Sequence, residues 1–219
     1  MKIIPNGHGV LPAPAGSPAM AAGLRRFAAP AQPPPGEQAE RCELCGEELG
    51  GEHRHLADPQ HHSIACACTA CALLFTRPGA RYRTIPDRVR HDPRAPLTDA
   101  EWAELQIPVA IAFFFRSSAL GRVIASYPSP AGVTECELDL AAWDRLAAAH
   151  PLLAALEPDV EAILVSRGDG AEAFLIPIDM CYSLAGALRV NWHGFDGGTE
   201  VRRILADCLT DLRQRAREI

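Results

Sequence analysis

A chain of 219 residues with 48% hydrophobic content is long enough for one large domain or two small ones, and can bury a real core. Its net charge of −6 gives no overall electrostatic reason to bind nucleic acid and leaves that role to a local basic patch. No apolar run approaches the roughly 20 residues needed to cross a bilayer, so the composition predicts a globular, cytoplasmic protein.

Eight prolines and almost no run of large apolar side chains mark residues 1–40. Such a stretch cannot offset the entropy of ordering itself, which predicts a disordered or extended tail. Arg25-Arg26-Phe27 has the look of a twin-arginine export signal. The Ala- and Pro-rich residues that follow lack the apolar region such a signal needs, and export is not expected.

The chemistry concentrates in residues 41–76. Cys42-Glu-Leu-Cys45 opens this segment and Cys68-Thr-Ala-Cys71 closes it, with 22 residues between the pairs. In a cytoplasmic chain, two such pairs read as a metal site of four thiolates, Cys42, Cys45, Cys68 and Cys71. Gly46 supplies the backbone freedom that a cysteine knuckle needs. Ala70, Ala72, Leu73 and Leu74 predict a helix beginning at the second pair, while Gly50-Gly51 and Asp58-Pro59 mark turns of an intervening hairpin. Knuckle, hairpin and helix in that order predict a treble-clef or zinc-ribbon-like module. Zinc is the expected ion. Iron is the alternative, because Cys42-Glu-Leu-Cys45-Gly46 resembles half of a rubredoxin; the second half departs from it, since Ala72 follows Cys71 where glycine would be needed. Four protein ligands leave no position for water or substrate, which favours a structural, non-enzymatic site.

Three neighbours could change this ligand set. Cys66 would share a face with Cys68 in an extended segment and could replace it, although a small buried hydrophobe is the expectation. His53 and His55 could replace a cysteine or hydrogen-bond a sulfur; solvent-facing hairpin histidines are expected. His61 and His62 read as loop residues.

Residues 77–94 follow, with arginines at 77, 81, 83, 88, 90 and 94 against Asp87 and Asp92. That local positive excess could contact phosphates. Only Tyr82 lies within it as an aromatic and Lys2 is the sole lysine of the chain, so arginine is the default surface cation here and a solvated strand and loop is the expectation.

From residue 77 to 219 the pattern predicts an α+β domain, an antiparallel sheet packed by helices. Thr98 and Glu101 form a capping box for a short helix ended before Pro108. Strands are expected over 109–115, 122–127 and 133–138, the second ended by Pro128 and Pro130. Asp139 should cap a helix to His150, and Pro151 should open another. Strands at 161–165 and 172–176 make a second hairpin. Asp179 is placed to cap a helix to about Val190, and Thr199 to cap a final helix whose apolar strip is Val201, Ile204, Leu205, Cys208, Leu209 and Leu212. No phosphate loop, nucleophile elbow or His-x-x-x-His pair is present. Arg116–Ser118, at a strand end, and Trp192–Gly198, before the last helix, are the two stretches outside the metal module that could carry a binding role; a helix-to-helix turn is the expectation for the second.

Taken together, Cys42-Glu-Leu-Cys45, His53-Arg-His-Leu56, Cys66-Ala-Cys-Thr-Ala-Cys-Ala-Leu-Leu-Phe75, Arg81-Tyr-Arg83, Phe113-Phe-Phe-Arg-Ser-Ser118 and Tyr127-Pro-Ser-Pro-Ala131 resemble an uncharacterised bacterial family. That family is associated with gene clusters of high-affinity, actinobacterial-type nickel–iron hydrogenases. The resemblance covers about residues 41–217 and carries no catalytic residues. It implies an accessory role in maturation, assembly or electron supply, with a hydrogenase subunit or maturation factor as protein partner. The alternatives from the residues themselves are a one-iron electron carrier and a nucleic-acid-binding regulator.

Overall fold

Two sheets, of three and seven strands, organise the chain. The structure is a computed structural model that describes residues 40–130, 132–168, 170–194 and 197–219; the tail expected over 1–40 lies, apart from residue 40, outside them. Residues 39–219 form one compact unit, and its architecture is α+β.

The small sheet is built on the expected hairpin. Strands β1 (Arg54–Asp58) and β2 (Ser63–Ala67) pair antiparallel, with His55 opposite Cys66 and Ala57 opposite Ile64. Helix α1 (Thr69–Phe75) follows directly. A third strand, β3 (Arg83–Thr84), pairs with the free side of β1. Because side chains alternate along a strand, this sheet has two distinct faces. Leu56 and Ala67 pack with Cys42, Cys71 and Ala72 on one of them. Ala57 and Ile64 pack on the other, against Ile85, Val160, Ile178 and Phe115. The second face is the seam where the small sheet meets the large one.

The large sheet begins with β4 (Arg90–His91), followed by α2 (Asp99–Glu104), β5 (Ile111–Ser117), β6 (Arg122–Ser129) and β7 (Gly132–Cys136). Then come α3 (Leu140–Ala149), α4 (Pro151–Ala154), β8 (Glu161–Ser166), β9 (Glu172–Pro177), α5 (Ile178–Asn191), α6 (Gly198–Arg215) and β10 (Arg217–Glu218). The strand order is β10-β4-β9-β8-β5-β6-β7. Every pairing is antiparallel except β10 with β4.

Helices cover both faces of this sheet, which explains why its central strands read as unbroken apolar runs. Phe114, Ile163, Val165 and Leu175 point to one face, where Trp143 and Leu146 of α3 and Leu152 and Leu153 of α4 cover them. Phe114 stacks on Trp143 with ring centroids 5.0 Å apart. Phe113, Leu164, Phe174 and Ile176 point to the other face, under Leu184 and Leu188 of α5 and Val201 and Leu212 of α6. The partly buried Ile204, Leu205, Cys208 and Leu209 complete the apolar strip of α6 there.

Local signals are realised where local groups satisfy them. Thr98 and Glu101 form a full capping box, Asp139 accepts from the amides of Ala141 and Ala142, and Pro151 opens α4. Three expectations fail. Pro128 does not end its strand: β6 runs on to Ser129, since β5 no longer flanks it beyond Ser126 and the missing amide donor is not needed on that side. Asp179 does not cap α5, whose cap is Pro177; its carboxylate instead receives His55 from the small sheet. Thr199 does not cap α6, whose cap is Gly197, two residues earlier. Gly197 has φ +83°, and a Cβ there would lie 2.8 Å from Cγ1 of Val201, so only glycine fits.

The arginines after α1 are largely engaged within the protein. Arg83 donates to Glu157, Asp159 and the carbonyl of Pro158, and Arg81 donates to the buried Asp58. Arg94 pairs with Glu218. Arg88 grips the fully buried carboxylate of Glu161 through two bonds of 2.5 and 2.9 Å. Two arginines therefore bolt the segment after α1 onto the start of β8.

Candidate metal centre

The four cysteines of the two Cys-x-x-Cys pairs come from two pieces of backbone with different reasons for their shape. The first pair sits on a tight knuckle: the Gly46 amide returns to the Cys42 carbonyl at 2.7 Å, and Gly46 takes the positive φ of +79° that this turn demands. The second pair opens α1, where Cys68 is the N-cap and its sulfur accepts from the Cys71 amide at 3.5 Å. Glu43 then ties the knuckle to the hairpin, its amide donating to the Cys66 carbonyl and its carboxylate accepting from the Cys66 amide.

These supports bring the four sulfurs together, all within 4.8 Å of one another. Sγ of Cys45 lies 3.8 Å from Sγ of Cys68. A tetrahedral ion with metal–sulfur bonds of about 2.3 Å requires sulfur–sulfur edges of about 3.8 Å. The four cysteines could therefore bind a metal ion with little rearrangement. Cys42 and Cys71 are buried while Cys45 is exposed, so one edge of the cluster meets solvent.

The electrostatics of the cluster suit a cation. Burial pushes the Cys42 thiol up, but the amides of Cys68, Leu44 and Cys45, with the Cys45 thiol, outweigh it and bring Cys42 down to about 6. Cys71 moves the other way: burial and then the sulfurs of Cys45, Cys68 and Cys42 push it well up. One thiolate forms readily, and its presence makes the next harder to form. A divalent ion removes that conflict by taking up the accumulated negative charge.

Cys66, His53 and His55 do not join this cluster. β2 ends at Ala67, so Cys68 turns into α1 and no longer continues the alternation that would put it beside Cys66. Cys66 instead lies across from His55, and its sulfur comes within 4.8 Å of ring nitrogens of His55 and His53. The expectation of a small buried hydrophobe at Cys66 and of solvent-facing histidines is corrected: all three are partly buried and face one another, and the His53 side chain is only 8% exposed. The cue in the sequence is the His53-x-His55 spacing, which places both on one face of an extended chain. The third member is visible only once the hairpin register is known. His61 stays in the turn between β1 and β2, paired with Asp58.

The two remaining stretches hold loops together. Ser117 is buried and accepts from the Leu120 amide, while the Ser118 amide donates to Asp159. In the loop before α6, the Trp192 indole donates to the Gly194 carbonyl; Phe195 and Asp196 lie outside the described residues. No helix among the described residues is long and apolar enough to cross a membrane.

A family model described as "Family of unknown function (DUF5947)" matches residues 41–216, which takes in the cysteine cluster, the small sheet and every strand of the large sheet but β10. No curated protein and no solved structure matches the chain.

Proposed function

The chain belongs to this family of unknown function, and from that premise we propose that it is a non-enzymatic, zinc-binding accessory protein. In this reading Cys42, Cys45, Cys68 and Cys71 close a structural zinc site in a treble-clef-like module, and the module presents a surface to a protein partner. The observation that carries it is the outer side of α1. Leu73, Leu74 and Phe75 are 72%, 56% and 45% exposed. They form consecutive apolar side chains on the helix whose first residue follows a candidate ligand. A contiguous exposed apolar patch on a small rigid module is the mark of a contact surface.

A hydrogenase subunit or maturation factor is the proposed partner, as the family resemblance implies. Nucleic acid is the weaker reading, because Arg81, Arg83, Arg88 and Arg94 are already paired with carboxylates of the same chain. The test is elemental analysis of protein prepared without added metal, coupled to capture from the native host. The expected result is zinc at the four-cysteine site and copurification of a hydrogenase subunit or maturation factor. A triple variant, L73S/L74S/F75S, should keep the zinc and lose the partner. A red protein with a reversible one-electron transition would replace this reading by the iron carrier.

A further inference from the structure

We propose that His53, His55 and Cys66 form a second metal site, separate from the four-cysteine cluster, that takes one ion of the zinc class and leaves its fourth coordination position open. The site lies on the opposite face of the β1–β2 hairpin from the first, at the seam with the large sheet.

Hydrogen bonding fixes the donors. Nδ1 of His55 lies 2.6 Å from the Asp179 carboxylate. Nδ1 of His53 lies 3.0 Å from the Gly50 carbonyl and 3.4 Å from the Glu40 carboxylate. Carboxylates and carbonyls only accept, so in both rings Nδ1 carries the hydrogen. Each neutral ring then has its lone pair on Nε2, and these two Nε2 atoms face each other at 3.2 Å. Two lone pairs at that distance repel unless a cation lies between them. An ion bound tetrahedrally through bonds of about 2.0–2.1 Å would hold two such nitrogens about 3.3 Å apart.

The third donor and the surroundings agree. The Cys66 sulfur is within 4.8 Å of a ring nitrogen of each histidine, held there by the cross-strand register with His55 and by the bond from its amide to Glu43. Two imidazoles with one thiolate suit zinc. On binding, the Cys66 thiol loses its proton to solvent, and the ion neutralises the resulting thiolate. Asp179 and Glu40 supply the carboxylates that orient metal-bound imidazoles elsewhere, and with the Cys66 thiolate they set three negative charges around the ion's two positive ones. The His55 side chain is 33% exposed, so water or an external donor can reach the open position.

The test is a metal titration of the full chain, stripped of metal, with Zn2+ and separately with Co2+ near neutral pH. Two equivalents should bind, and cobalt should give two successive spectra, one with intense charge-transfer bands from four thiolates and one with the weaker band of a single thiolate. Cys66→Ala should bind one equivalent with the four-thiolate spectrum retained, as should the pair H53A/H55A. Asp179→Asn should weaken only the second equivalent, by about 10- to 100-fold. If the histidine pair fails to fold, Cys66→Ala still decides, since its β2 neighbours Ala65 and Ala67 show that alanine suits this strand. A single equivalent with the four-thiolate spectrum in the unmodified protein overturns the proposal and leaves a proton shared between the two rings; two equivalents retained in Cys66→Ala overturn it as well. Loss of zinc at the four cysteines alone would strike the preceding reading and not this one.

Discussion

Among the described residues, seventeen buried side chains pack on one face of the large sheet and ten on the other; the core around the cysteines has five, and two of those five are Cys42 and Cys71. The large sheet can hold itself together by apolar burial. The module cannot, because Leu56, Ala67 and Ala72 are too little apolar surface to offset the ordering of some forty residues, each costing about 1–2 kcal/mol. In the proposed reading coordination replaces a core: four sulfurs, placed by a knuckle and a helix cap, stand where large side chains would be in a bigger domain.

Removing the metal should separate the two regions most sharply. In zinc-finger peptides the ion contributes about 10–16 kcal/mol. Chelation, or the pair Cys42→Ser and Cys71→Ser, should therefore release the amides of α1 and the hairpin to hydrogen exchange while those of β5 and β8 stay protected. Simultaneous loss of protection in both would break the distinction.

The converse perturbation belongs to the large sheet. Phe114→Ala empties the contact with Trp143 and should cost about 3–5 kcal/mol in denaturant unfolding, with metal content unchanged. Smaller is the effect of Arg88→Met. It leaves Glu161 as an unpaired buried carboxylate, at a cost of about 3 kcal/mol, and R88M/E161L should recover most of it. A single mutant as stable as the parent would show that solvent reaches Glu161.

The smallest expected effect is a pH dependence confined to α2. The Thr98 amide, and then the His150 imidazole, hold Glu101 down at about 2, below its ordinary 4.5. Unfolding therefore takes up a proton in this range, so the stabilisation is complete above about pH 4.5 and fades as pH falls toward 2. Unfolding midpoints across that range should slope less in Glu101→Gln than in the parent. Equal slopes would mean that the capping box does not set the acid response.

Features decided within a few residues were readable in advance. The Thr98 capping box, the Asp139 cap, Pro151, both long hairpins and the strip of α6 all depend on near neighbours. So did the four cysteines as a group, because their spacing alone implies convergence. What escaped was decided at long range. Asp179 has the right chemistry for a helix cap, and a histidine 124 positions away claims its carboxylate. His53, His55 and Cys66 carry no joint signature until β1 and β2 are set in register. The two-residue strands β3, β4 and β10 leave no periodicity to detect, and the parallel return of the C-terminal strand beside β4 arises only from the packed sheet.

The pairing of His55 with Cys66 also constrains what the chain can become. Four residues, 59–62, join β1 to β2. Deleting or adding one of them shifts the register by a step, and alternation then sends Cys66 across the sheet toward Leu56. The module should therefore accept many substitutions in this turn and few changes in its length. A library randomised at 59–62 should yield folded, metal-loaded variants at fixed length and lose them when one residue is inserted.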